Sequence, residues 1–229
     1  MNIKKISTDK ISFLVREGFS DKKTFDEVIL RNTYEKRYFK IKKGEHWIDL
    51  GGNVGAFAVD AISKGATVDI YEPDPFNCQM IEKNLKINNF DANIIQKAVV
   101  ANDSKKMTMY VGNKMQVWRN SLYKNWGNQK FSVDCVNFSE VFINKSDCCK
   151  MDIEGAEMDI LEAMDLMPDK MVFEWSFDID ESLTRYRNIV KKMNTKYKTV
   201  KAPNYSEAFV TWQKSWFPAC ANVYCYEEN

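Results

Sequence analysis

The run "HWIDLGGNVGAFAVDAISKG" (His46–Gly65) holds a short apolar strand, a turn with three glycines, and a helix that stops at a fourth. Helices commonly end at a glycine in this way. "TVDIYE" (Thr67–Glu72) follows as a second strand. "DPFNCQMIEKNLKINN" (Asp74–Asn89) reads as a second helix, with Asp74 as N-cap and Pro75 at its first position. Phe76, Met80, Ile81 and Leu85 share one face of it. "NIIQKAVV" (Asn93–Val100) reads as a third strand. Strands alternating with helices form a parallel sheet with helices on both faces and right-handed crossovers. The expected fold is therefore a doubly wound, Rossmann-like α/β domain.

The same alternation extends downstream. "DCCKMD" is a strand, "AEMDILEAM" a helix, "KMVFEWS" a strand, "ESLTRYRNIVKKMN" a helix and "YKTVKA" a strand. "FVTW" and "NVYCYE" are expected to form a closing antiparallel pair. Upstream, "ISFLV" (Ile11–Val15) reads as a strand and Thr24–Phe39 as mainly helical. Between the third and fourth core strands, "KMTMYVG" and "FSVDCV" look like strands flanking a polar-aromatic loop, Asn113–Lys130. The expectation is a single domain over 1–229, with a preface at 1–40 and a core at 41–229.

The totals narrow the function. The 229 residues are 45% hydrophobic, enough for a sizeable core. Lys+Arg at 33 nearly cancels Asp+Glu at 32, so no global field attracts a polyanion and a nucleic-acid partner is not expected. No CxxC pair occurs among the six cysteines. The adjacent Cys148 and Cys149 point to opposite faces of their strand, which suits neither a zinc site nor a disulfide framework. Reduced thiols in a cytoplasmic protein are expected. No run is long and apolar enough to span a membrane. The single histidine, His46, precedes a buried strand, whereas chemistry in such sheets lies at the strands' carboxyl ends. It is expected to be structural.

"DLGGNVG" (Asp49–Gly55) lacks the G-x-G-x-x-G spacing of a dinucleotide site. Twenty-one residues beyond Gly51, Glu72 ends the second strand, where an acid accepts ribose hydroxyls. A nucleoside without an obligatory pyrophosphate fits, and S-adenosylmethionine is such a ligand. A dehydrogenase is disfavoured by the missing fingerprint.

"WIDLGGNVGAFA", "YEPDPFNCQMIEKNLKIN" and "KMDIEGAEMDIL" (Lys150–Leu161) together resemble the FkbM family of S-adenosylmethionine-dependent methyltransferases, in order and spacing, over roughly residues 24–175. Gly52 stands where alanine is usual, and Asn84 matches the family's downstream asparagine. The resemblance implies a class I methyltransferase sheet of seven mostly parallel strands with an antiparallel last strand. It also implies methyl transfer to an oxygen, often a sugar hydroxyl or another small-molecule alcohol. The cofactor contacts expected are Asp49, Gly51, Gly52, Asn53, Gly55, Glu72, Pro73, Ala98 and Asp152.

Four acids crowd the third block: Asp152, Glu154, Glu157 and Asp159. Acids at a helix start complement the helix dipole, which is the plain structural explanation for Glu157 and, less readily, for Glu154. Asp152 ends a buried strand beside the glycine turn, where a carboxylate needs a partner. It is the candidate base, and Glu174, ending the strand "MVFEW", is the second. A divalent metal held by Asp152, Glu154 and Glu174 is the alternative. Trp118, Ser121, Tyr123, Trp126 and Glu154 are the candidate acceptor contacts, since aromatic faces beside polar groups suit a sugar or other small ligand. Trp212, Trp216 and Phe217 add aromatics in the tail. The block lacks the Pro-Pro aromatic motif of amino-group methylation, and no Pro-Cys pair serves cytosine methylation. A non-catalytic cofactor-binding scaffold stays open.

Overall fold

The computed structural model describes residues 2–112, 120–125, 127, 129–144, 147–176, 179, 182–202 and 220–227. A hairpin, β1 (Ile3–Ser7) and β2 (Ser12–Arg16), comes first. A short helix α1 (Asp21–Phe25) runs straight into one π turn (Asp26–Leu30). Then follow β3 (His46–Leu50), α2 (Ala56–Ser63), β4 (Thr67–Tyr71), α3 (Pro75–Lys86), β5 (Asn93–Ile95) and β6 (Ala98–Val100). Next are β7 (Lys106–Val111), β8 (Gln129–Asn137), α4 (Phe138–Val141), β9 (Cys148–Met151) and α5 (Glu157–Ala163). The chain closes with β10 (Lys170–Ser176), α6 (Leu183–Lys196), β11 (Thr199–Lys201) and β12 (Cys220–Tyr226).

The main sheet has seven strands in the order β11-β12-β10-β9-β3-β4-β5. Its β5, β4, β3, β9 and β10 pair in parallel, while β12 runs antiparallel to both β10 and β11. The expected sheet, with its antiparallel last strand, is therefore present. "NVYCYE" is that strand; "FVTW" lies outside the described residues.

Alternation along the strands sends side chains to two cores. Trp47, Val68, Ile70, Cys148, Val172 and Tyr224 face one core, built with α2, α3 and the preface. Ile48, Leu50, Cys149, Met151, Phe173, Trp175 and Val223 face the other, built with α5 and α6. The divergence of Cys148 and Cys149 is as expected. By the same period of two, Asp49, Lys150, Glu174, Ser176 and Asn222 fall on the face of Trp47, Val172 and Tyr224. The polar groups of the sheet thus collect under the preface.

Two elements differ from expectation. The helix expected over Thr24–Phe39 ends at Leu30, because Asn32 takes a left-handed conformation (φ 51°). The following chain is committed elsewhere: Glu35 accepts from Ile41 N (2.9 Å) and pairs with Lys64 just beyond α2, and Thr33 O accepts from Tyr224 Oη (2.7 Å). The single strand expected over Asn93–Val100 breaks at a turn closed by Lys97 N donating to Ile95 O (2.8 Å). Asn93–Ile95 stays at the edge of the main sheet, while Ala98–Val100 leaves it and pairs in parallel with β8. A small core of Ala98, Val100, Met109, Val133 and Cys135 drives that departure. The resulting three-stranded sheet, β6-β8-β7, was read in sequence only as two loose strands.

The preface docks on α3 through side-chain amides. Asn84 Oδ1 accepts from Leu14 N (2.6 Å), and its Nδ2 donates to Leu14 O (3.3 Å) and Val54 O (2.9 Å). Asn88 makes the same two-sided contact with Ser12. Asn84, the residue matching the family pattern, is thus a clamp between hairpin, helix and glycine turn. Arg16, buried with Asp21 in an ion pair, also donates to Asn77 of α3 (3.0 Å).

One ion pair ties the two central strands. Lys150 Nζ on β9 lies 3.1 Å from Asp49 Oδ1 on β3, and both side chains are buried. The same ammonium donates to Leu50 O (3.2 Å) and Gly51 O (2.7 Å). Removing one partner strands the other charge in a low dielectric. Asp49→Ala is expected to lower the unfolding free energy by about 3–5 kcal/mol, read as a lower urea midpoint at unchanged slope. A loss below about 1 kcal/mol, the scale of an exposed pair, would contradict this placement.

Candidate active site

The carboxyl ends of β4, β3, β9 and β10 open into a cavity of about 590 Å³. Its walls include Gly51, Gly52, Asn53, Glu72, Pro73 and Ala98 on one side and Asp152, Glu154, Glu174 and Ser176 on the other. Thr33 and Tyr34 of the preface and Phe57 of α2 complete it. His46 lies at the opposite end of β3, its ring between Asp147 (2.9 Å) and Asp69 (3.3 Å), as expected of a structural residue.

The glycines of the turn serve the protein's own packing. Gly51 has φ 82°, and a Cβ there would sit 1.9 Å from the Asp152 carbonyl oxygen. A Cβ on Gly52 would meet Ile70 Cγ2 at 2.3 Å. At Gly51 only glycine lets the turn nest against the end of β9, directly beside Asp152; at Gly52 the alanine usual in the resembled family would fit only with a shift of the Ile70 side chain.

Glu72 is held in place before any ligand arrives. Its Oε2 accepts from Asn53 N (2.7 Å) and its Oε1 from Asp74 N (2.9 Å), with Asn77 Nδ2 at 3.5 Å. Burial pushes its pKa up to about 8, with the Asp74 charge adding to the rise against these backbone donors. Asp74 also caps α3 by accepting from Phe76 N (2.8 Å) and accepts from Asn120 Nδ2 (2.9 Å). That last bond links α3 to the chain beyond β7. Asn53 sits in the left-handed region (φ 49°), which turns its N–H toward Glu72.

Asp49 does not line the cavity. It lies beneath the turn, paired with Lys150, and burial raises its pKa while Lys150 opposes the rise. Burial disfavours the Lys150 charge, but Asp49 and Asp152 outweigh it and its pKa is raised. The ammonium also stands 5.3 Å from the Tyr34 ring centroid. Asp49 therefore shapes the turn from beneath it.

The acid block resolves into separate roles. Glu157 is buried and folds back on its own turn, accepting from Ile153 N (2.6 Å) and Gly155 N (2.8 Å). Its pKa is pushed up to about 7 by burial, with Asp152 contributing. Its role is structural, as the dipole argument allowed. Glu154 takes a left-handed conformation (φ 54°) and Gly155 has φ 113°. A strained non-glycine residue persists only where its surroundings hold it. Here Ser121 Oγ donates to Glu154 O (2.5 Å) and the Glu157 carboxylate clamps both flanks. The outcome is that Asp152, Glu154 and Glu174 each present a carboxylate oxygen within 4.8 Å of the others. Asp152 Oδ2 accepts from Tyr34 Oη (2.5 Å). Burial, then the Asp152 charge, raises the Glu174 pKa well above the usual range, against a hydrogen bond from Cys220.

The expected acceptor residues divide. Glu154 lines the cavity. Ser121 is buried and used on Glu154 O, and Tyr123 donates to Asp159 (2.5 Å) on the surface of α5. Neither lines the cavity; their neighbours Asn120 and Leu122 do. Trp118 and Trp126 lie outside the described residues, as do Trp212, Trp216 and Phe217. Tyr34, Ser176 and Asn222 were missed. Ser176 was findable, two residues beyond Glu174 on the same strand face. Tyr34, 118 residues from Asp152, left no local signal.

The strand order and the cavity at the carboxyl ends are those of a Rossmann-like class I methyltransferase. Residues 49–197 match the methyltransferase FkbM domain, and the chain belongs to that family. The match begins at Asp49, so the preface lies outside it. No curated protein matches the chain in sequence. Among solved structures, a 16S rRNA methyltransferase of T. thermophilus, held with AdoMet and guanosine, is 10% identical with a TM-score of 0.51, covering 99% of this chain and 50% of that one. The methyltransferase FkbM of Methylobacillus flagellatus KT is 16% identical (TM-score 0.45; 73% and 41%). A tRNA (uracil-54, C5)-methyltransferase of Pyrococcus abyssi, in complex with S-adenosyl-L-homocysteine, is 14% identical (TM-score 0.49; 82% and 37%). At such identities the likeness is one of fold, and this chain spans half or less of each of those chains.

Hydroxyl donors such as those of a ribose would be accepted by the ionised form of Glu72. With its pKa near 8 in the free protein, binding below that pH must expel a proton. The same shift means that, without ligand, Glu72 costs stability as pH rises from 4.5 to about 8, because the folded state holds the proton more tightly. The affinity for 5′-methylthioadenosine, whose ribose keeps both hydroxyls and which carries no titrating amine, is expected to fall by up to about tenfold per pH unit below 8. Glu72→Gln should bind more weakly above pH 8 and show a flat profile. A flat profile in the wild type, measured by calorimetric titration, would contradict the role given to Glu72.

Proposed function

We propose that the chain is an S-adenosylmethionine-dependent O-methyltransferase acting on a hydroxyl of a sugar or glycan, giving a methyl ether. The observation that carries this reading is the set of carboxylates, Asp152 and Glu174 foremost, on the cavity wall directly beside the glycine turn. The residues present fit the cofactor. Glu72 is pre-held by two amides with lone pairs to spare for ribose hydroxyls, and Ala98, Val99, Met109 and Leu122 offer an apolar wall for a base. Bound there, the cofactor supplies an electrophilic methyl group.

The protein's part is alignment and proton removal. Holding the hydroxyl in line contributes up to about 7–11 kcal/mol in favourable cases. Asp152 would take the hydroxyl proton as the new O–C bond forms, the O–H electron pair staying on oxygen and the electron pair of the broken S–C bond leaving with the cofactor's sulfur. Tyr34 fixes one oxygen of Asp152 and leaves the other to the acceptor. Glu174, Ser176 and Asn222 on the same wall accept further hydroxyls, which suits a polyol. The balanced net charge of +1 gives no overall field to attract a polyanion. Among the described residues no helix is long and apolar enough to cross a membrane, and the six cysteines are free, which supports a cytoplasmic setting.

Asp152→Asn is expected to lower turnover by about 10²–10⁴. Methyl label from the cofactor is to be followed into sugars, small alcohols, peptides and RNA. Label in carbohydrate that is lost in Asp152→Asn is the expected result. Label in RNA or peptide with none in carbohydrate would overturn the acceptor class, and full turnover by Asp152→Asn would overturn the base.

A further inference from the structure

We propose that Asp152, Glu154 and Glu174, with the hydroxyl of Ser176, form a site for one hard divalent cation, Mg²⁺ or Mn²⁺, at the acceptor end of the cavity. Its place in catalysis rests on the methyl-transfer reading above; the binding itself does not.

Two independent observations meet here. The three carboxylates come from two elements, the turn after β9 and the strand β10, yet each offers an oxygen within 4.8 Å of the other two. Oxygens on opposite sides of a bound ion are separated by twice the metal–oxygen distance, about 4 Å for Mg²⁺ and about 5 Å for Ca²⁺. The cluster is therefore already gathered to the scale of one coordination sphere. The second observation is Ser176. It is 3% exposed, it lines the same cavity, and its Oγ has no hydrogen-bond partner. A buried hydroxyl without a partner costs free energy. It stands on the same face as Glu174, two residues along a strand, so it shares the carboxylates' side of the sheet. Asn222, paired with Glu174 across β10 and β12, adds a second buried oxygen, Oδ1, without a partner.

All of these donors are hard oxygens, the set preferred by Mg²⁺, Mn²⁺ and Ca²⁺. Lys150 is held by Asp49 and two carbonyls. Asp152 and Glu174 have no Lys or Arg ion pair among the described residues, and their hydrogen bonds come from Tyr34 and Cys220. Asp152 receives Tyr34 on Oδ2, which leaves Oδ1 with one lone pair for an ion and another for the acceptor's proton. Four protein oxygens leave coordination positions for waters or for an acceptor hydroxyl, whose proton a bound cation makes more acidic.

The test is equilibrium binding of Mn²⁺ to the full chain, without cofactor, followed by the loss of the free-ion electron paramagnetic resonance signal. The expected result is one ion per chain, saturating below millimolar concentration and displaced by Mg²⁺. Glu174→Gln should weaken it by about tenfold or more. Ser176→Ala should weaken it severalfold while the metal-free melting temperature stays the same or rises, which keeps the test valid if Glu174→Gln folds poorly. No saturable binding, or equal affinity in both variants, would overturn the proposal. Preferential binding of Zn²⁺ that is lost in Cys220→Ser would overturn the choice of a hard cation. S-adenosylhomocysteine binding is measured in parallel. Cofactor binding without Mn²⁺ binding sinks this inference alone, and Mn²⁺ binding without cofactor binding sinks the methyltransferase reading alone.

Discussion

The Lys150–Asp49 pair is the interaction on which the cavity depends. An ammonium buried between β3 and β9 would be untenable alone, and so would the carboxylate. Together they let Lys150 reach up to the carbonyls of Leu50 and Gly51. The last turn of β3 is thereby pinned at the point where the glycine turn starts. The Gly51 backbone in turn presses against the Asp152 carbonyl, with no room for a Cβ. One buried charge pair thus sets the distance between the turn beside Glu72 and the carboxylates beyond β9.

The second constraint is the alternation of the sheet. Because Asp49, Lys150, Glu174 and Ser176 share a face, one side of the sheet carries the polar groups and the other carries an unbroken core of Leu50, Met151, Phe173 and Trp175. The polar face needs cover, and the preface supplies it through Tyr34 while Asn84 and Asn88 bolt the hairpin to α3. The family match runs over residues 49–197, so this cover lies outside the matched span.

Much of this was legible in the sequence, for identifiable reasons. The glycine turn, Glu72 and the N-cap Asp74 are local features, and each was read from a few adjacent residues. The divergence of Cys148 and Cys149 follows from strand period, and the antiparallel β12 from the family resemblance. What escaped reading was non-local. The Tyr34–Asp152 bond and the Asn120–Asp74 bond join residues far apart in sequence. Asp49 was expected to touch the cofactor because it ends a strand at the right edge, but only the structure reveals that Lys150 occupies it. The break after Ile95 depends on a small core that β6 makes with β7 and β8, and no window around residues 93–100 contains that core. Ser121 and Tyr123 had suitable chemistry for an acceptor, and their hydroxyls are used on Glu154 O and Asp159 instead.

The central claim is that one cavity brings a nucleoside held by Glu72 into line with the carboxylates around Asp152. A crystal structure of the chain with S-adenosylhomocysteine tests it most directly. The account predicts both ribose hydroxyls on the Glu72 carboxylate and the sulfur facing Asp152 and Glu174. A nucleoside bound away from Glu72, or a sulfur turned away from the acid cluster, would contradict it.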